Sequence, residues 1–136
     1  MQNYGRIKKL GTVTKGFGGT TRYEQHHPGV DVANREGTPI PAMTNGTVVG
    51  VNLGHAKGEN NYGNQVAVRD DAGNTQYYSH VKNALVNRGQ RVHSGQPIAA
   101  MGATGSAYSP SGGDPTHLDI RITDAYGRYK NPMNLV

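Results

Sequence analysis

In the stretch Thr116-His117-Leu118-Asp119-Ile120-Arg121-Ile122, polar and apolar residues alternate strictly from His117 onward. Leu118, Ile120 and Ile122 fall on one side and His117, Asp119 and Arg121 on the other, the period of two of a half-buried strand. The polar side carries His117 and Asp119 side by side, about 7 Å apart at Cα. That spacing lets one ligate a metal while the other reaches a water held by it. By itself it describes equally well the solvent face of a hairpin.

The neighbouring sequence keeps the same character. Residues 47–51 (TVVGV), 65–69 (QVAVR) and 75–78 (TQYY) are β-branched or aromatic runs of strand length, separated by Gly, Asn and Asp. Between the last two runs, Asp70-Asp71-Ala72-Gly73-Asn74 is turn chemistry, so a hairpin is expected. Gly89, Gly95, Gly102 and Gly105 then interrupt the chain too often for a helix of ordinary length, and only residues 81–86 contain acceptable helix formers. The expected fold class is mostly β: a small antiparallel sheet or open barrel with long surface loops at 53–64 and 106–115. Residues 1–12 read as an N-terminal lead-in and 13–136 as one domain.

Composition removes several function classes. Hydrophobic residues make up only 34% of the 136, and no apolar run approaches the roughly 18–20 residues that a spanning helix needs. The first residues lack the apolar centre of a signal peptide. With no cysteine, a disulfide framework and thiolate metal sites are excluded, so a metal would have to be held by His, Asp or Glu. The net charge of +5 suits a polyanionic partner, but the Lys and Arg residues are scattered. A nucleic-acid-binding barrel would need aromatic residues interleaved with basic ones. Tyr77-Tyr78 is the best such candidate and has no close basic neighbour, so no specific nucleic-acid partner is expected.

Two further clusters carry potential chemistry. In His26-His27-Pro28-Gly29-Val30-Asp31, Pro28-Gly29 argues against a helix, so His27 and Asp31 would converge through a turn feeding a strand. Val30 and Val32 flank Asp31 and place its carboxylate on the opposite face. The same pattern fits a surface turn with a capping Asp. Gln76-Tyr77-Tyr78-Ser79-His80 ends a hairpin strand on a His, a position that is usually solvated. His26, His55 and His93 read as surface residues. Glu24, Glu36 and Glu59 lie in no motif that would supply a glutamate base.

In order along the chain, HxGxD, YxH and HxD on a strand resemble the lysostaphin or LytM type of zinc metallopeptidase, whose pattern ends in HxH. Gly16-Phe17-Gly18 with Arg22, Gly37-Thr38-Pro39-Ile40, Gly46-Thr47-Val48 and Gly95-Gln96-Pro97-Ile98 with Gly102, Thr104 and Gly105 extend the resemblance over roughly residues 13–134. It implies a lysostaphin-like fold around a metal groove. It also implies His27 and Asp31 as zinc ligands, position 119 as the third ligand, and His80 and His117 as the catalytic pair flanking the water on the metal. The implied activity is endopeptidase cleavage of peptide cross-links in bacterial peptidoglycan, at the cell wall, from an extracellular or virion-associated protein such as a phage tail lysin.

The departure is Asp119, which stands where that family has histidine. A carboxylate oxygen reaches zinc at about the distance of an imidazole nitrogen, so His27, Asp31 and Asp119 remain a feasible set. Two anionic ligands would leave a Zn²⁺ site formally neutral, raise the pKa of its water and shift preference toward harder divalent ions. In an empty site Asp119 would repel Asp31 unless a cation or proton lay between them. The alternative to an enzyme is therefore an inactive or weakened scaffold of the same fold that binds cell wall or a protein partner.

Overall fold

A computed structural model describes residues 6–18, 29–54, 62–105 and 114–134. His26, His27 and His55, and most of the loops at 53–64 and 106–115, lie outside the described residues. The chain is mostly β, in open antiparallel sheets. The strands are β1 (Thr12–Lys15), β2 (Gly29–Ala33), β3 (Pro39–Pro41), β4 (Gly46–Asn52), β5 (Gln65–Asp70) and β6 (Thr75–Ser79). They continue with β7 (Val81–Ala84), β8 (Arg91–Val92), β9 (Pro97–Met101), β10 (His117–Thr123) and β11 (Tyr129–Lys130). Among the described residues one sheet runs β1-β2-β10-β6-β5-β4-β8, with β11 on β10, and a smaller sheet runs β3-β9-β7.

The expected hairpin is β5–β6, in register from Gln65↔Ser79 to Arg69↔Thr75. Its turn closes because the Asp70 carboxylate accepts the amides of Ala72 and Asn74, both at 2.9 Å, while Gly73 takes φ 90°. Alternation sorts the large sheet into two faces. Val30, Val32, Val66, Val68, Leu118, Ile120 and Ile122 enter the core, joined by Ile40, Val81, Ile98 and Met101 from the small sheet. Tyr78 is fully buried there, its hydroxyl accepting the Met43 amide at 3.1 Å and donating to Gln76, whose Nε2 donates to Thr44 at 2.7 Å. This chain of partners keeps the buried polar atoms satisfied.

Two local elements differ from the sequence reading. The stretch at 81–86 forms no helix: Val81–Ala84 is strand β7, paired with β9, because burying Val81 against Met101 outweighs local propensity. A short helix α1 (Arg6–Leu10) sets Ile7 and Leu10 into the core. No helix among the described residues is long and apolar enough to cross a membrane.

Candidate functional site

The face of the large sheet turned away from the core is assembled by strand register. β10 is central, and Asp119 lies directly opposite Asp31 on β2 and Ser79 on β6. Arg121, two residues on, lies opposite Gly29 and Tyr77. Cross-strand partners share a face, so Asp31, Asp119, Arg121, Ser79 and Tyr77 form one patch. The face continues through Gln65, whose Nε2 donates to Ser79 Oγ at 2.9 Å, to a depression of about 230 Å³ lined by residues including Val51, Ala67 and Arg88.

His80 enters this patch from the corner between the sheets. It is the single residue between β6 and β7, and its φ of 66° is a left-handed conformation that turns the chain from one sheet into the other. Two segments hold the corner closed: the His80 amide donates to Tyr62 O at 2.9 Å and the ring Nδ1 meets Thr104 O at 2.6 Å. Thr104 Oγ1 in turn donates to Val81 O at 2.9 Å and accepts the Asn64 amide at 3.0 Å. His80 is consequently buried, with only 4% exposed, where a solvated position is expected from sequence. Burial, and then the neighbouring His117, lower its pKa, while Thr104, Asp119 and Asp31 act in the opposite sense.

His117 stands beside it, the ring centroids 4.7 Å apart. The strand entering His117 is set by Asp114, whose carboxylate accepts both the amide and the hydroxyl of Thr116, and His117 Nδ1 lies 2.8 Å from Pro115 O. A backbone carbonyl can only accept, so both rings carry their proton on Nδ1, leaving Nε2 on each as an acceptor. A pair of such nitrogens can take an N–H or O–H from water or a peptide, or a proton from either.

Asp119 is bound differently. Arg121 Nε donates to Oδ1 at 3.0 Å and Nη2 to Oδ2 at 2.9 Å, a forked ion pair with both side chains buried. Arg121 Nη1 also donates to the Tyr62 hydroxyl at 2.8 Å, and its guanidinium carbon lies 4.5 Å from the centre of the Tyr62 ring. Space for this fork comes from Gly29. A Cβ there would stand 2.6 Å from Arg121 Cγ, 2.5 Å from Ile120 O and 3.1 Å from Asp119 Oδ1.

The model of peptidase family M23 matches residues 25–132. The chain belongs to peptidase family M23. Over 123 residues it is 32% identical to the murein hydrolase activator NlpD of Escherichia coli (strain K12), covering 90% of this chain and 28% of that protein. Over 127 residues it is 31% identical to the glycyl-glycine endopeptidase ALE-1 of Staphylococcus capitis, covering 93% and 31%. The chain thus spans about a quarter to a third of the length of these curated relatives. Among solved structures it is similar to the zinc-containing peptidase from Vibrio cholerae, at a TM-score of 0.75 and 25% identity over 95% of this chain and 38% of that one. The catalytic domain of lysostaphin from Staphylococcus simulans has the same fold, with a TM-score of 0.76 at 24% identity over 98% and 96% of the two chains.

On this M23 scaffold the structure brings Asp31, His80, His117 and Asp119 to one patch, while His27 lies outside the described residues. His93 is exposed. A zinc ion on Asp119 would stand beside a guanidinium bonded to both carboxylate oxygens, whose permanent charge would repel a second cation at that range. Among the described residues no three His, Asp or Glu side chains gather closely enough to hold a metal ion. The described donor set, as arranged, does not fit zinc. Sequence reasoning leaves out the roles of Arg121, Tyr62 and Gly29. Arg121 was findable, because strict alternation puts it on the face of Asp119, whereas Tyr62 carries no local signal.

Proposed function

We propose that this M23 domain binds the peptide portion of bacterial peptidoglycan along the groove face and acts at the cell wall as a scaffold weakened or silent in hydrolysis. The observation that carries this reading is the Asp119–Arg121 fork, which occupies the carboxylate on which a metal centre would depend. The half-buried Tyr77, Gln65 and His117 offer an extended peptide a ring wall and neutral hydrogen-bonding groups along one sheet face. The similarity to NlpD, a murein hydrolase activator, supports a role in which binding rather than cleavage is used.

A second reading is favoured by the His80–His117 pair, in ring contact on the face that carries Asp31. It is a metal-dependent endopeptidase of wall cross-links with His27, Asp31 and Asp119 as ligands, and the similarity to ALE-1 supports it. Cosedimentation with insoluble peptidoglycan, read beside release of soluble peptide, separates the two. Binding that weakens in Tyr77→Ala, with no release in the presence or absence of zinc, is the expected result. Release that disappears in His117→Ala establishes the second reading, and absence of any cosedimentation ends the first.

A further inference from the structure

We infer that Arg121 is the built-in cation of the groove: its guanidinium holds Asp119 in place of a divalent metal, so that the native chain takes up no zinc, and removing Arg121 opens a cation site. Three observations converge on this. Asp119 and Asp31 are direct cross-strand partners on one face, and two carboxylates so placed call for a positive charge. That charge is already supplied: three Arg121–Asp119 contacts of 2.9, 3.0 and 3.3 Å engage both carboxylate oxygens, with the two side chains 8% and 5% exposed. The surroundings are shaped to the guanidinium. Gly29 leaves room for the Arg121 stem and Tyr62 covers it with ring and hydroxyl.

A guanidinium differs from zinc in ways that matter here. It is planar, always charged, and satisfied by a carboxylate fork and a hydroxyl, whereas zinc asks for tetrahedral nitrogen and oxygen donors at about 2 Å. A divalent ion brought to Asp119 would stand against the fixed charge of that guanidinium. In Arg121→Gln the Asp119 carboxylate loses its counter-charge beside Asp31, and a divalent ion becomes the positive charge left to balance the pair.

The test reads metal content and thermal stability and does not depend on what the groove binds. Equilibrium dialysis against zinc chloride, followed by elemental analysis, should leave the native chain without stoichiometric zinc, its Tm unmoved by zinc or EDTA. Arg121→Gln should melt roughly 10 °C or more below the native chain and recover about 5 °C or more in excess zinc, with zinc retained on the chain. Asp119→His/Arg121→Gln provides a second vehicle and should bind zinc more tightly than about 10 µM. The inference is overturned if the native chain retains one equivalent of zinc and gains stability from it. It is equally overturned if neither variant retains more zinc than the native chain.

Discussion

Among the described residues two arginine–aspartate pairs form two-pronged forks in opposite surroundings, Arg121 through Nε and Nη2 and Arg91 through Nη1 and Nη2. Arg121 and Asp119 meet at 2.9 and 3.0 Å on one central strand, both buried. Arg91 of β8 meets Asp71 in the β5–β6 turn at 2.7 and 2.7 Å, with the side chains 49% and 62% exposed. Judged by length alone the exposed fork is the better one. Its ions, however, are screened by water and salt, while the buried pair cannot exchange its partner for solvent, so the loss of one member leaves a bare charge. Distance fixes what is bonded, and burial decides what breaking the bond costs.

The largest expected effect follows directly. Arg121→Gln or Asp119→Asn alone should each cost on the order of 3–5 kcal/mol in urea unfolding, since each leaves one buried group uncompensated. The double variant removes both charges and should cost much less than the sum. A near-additive cycle would show that burial does not set the worth of this fork. Gly29→Ala ranks next, at about 1–3 kcal/mol, because the added methyl would meet the immovable Ile120 carbonyl at 2.5 Å as well as the Arg121 stem. A Gly29→Ala chain of native Tm would remove the steric part of the account.

How far these features could be read from sequence depends on how local their causes are. The β10 alternation, the β5–β6 hairpin and its Asp70–Asn74 turn rest on neighbouring residues, and each stands where the pattern puts it. The family motifs, ordered along the chain, point to the M23 fold. Val81–Ala84 misleads because its strand state comes from pairing with β9, a long-range contact that overrides propensity. The site is harder for the same reason. His80 reads as a solvated strand end, yet Tyr62, Asn64 and Thr104 close over it from distant parts of the chain. Alternation could place Arg121 beside Asp119 but could not say that the pair would be sealed under Tyr62.

His80 extends the comparison to a group that burial leaves neutral. Its folded pKa is lowered by burial and by His117, so on acidification the unfolded chain takes up the proton first. The associated stability is present above the ordinary histidine value near 6.5. It is lost as pH falls from there through the folded value, at up to about 1.4 kcal/mol per pH unit. His80→Asn keeps a side chain tolerant of left-handed backbone and removes the titration. Urea unfolding between pH 7 and pH 5 should show a shallower loss in the variant than in the native chain. Equal slopes would assign the acid sensitivity to other groups.

The exposed fork should respond least. Arg91 holds the Asp71 carboxyl below the usual carboxylate range, and Asp71 raises Arg91 in return, so the bond is favourable and its stabilisation fades as acid protonates Asp71. Both groups nevertheless keep good solvation when separated, and salt at physiological strength screens their attraction. Arg91→Gln should therefore move the Tm by no more than about 1 °C at 0.15 M salt, with a slightly larger drop at low ionic strength. A loss approaching that of Arg121→Gln would mean that fork geometry governs the energy after all. Burial would then not set Arg121 apart as the groove's resident cation, and zinc content alone would decide that role.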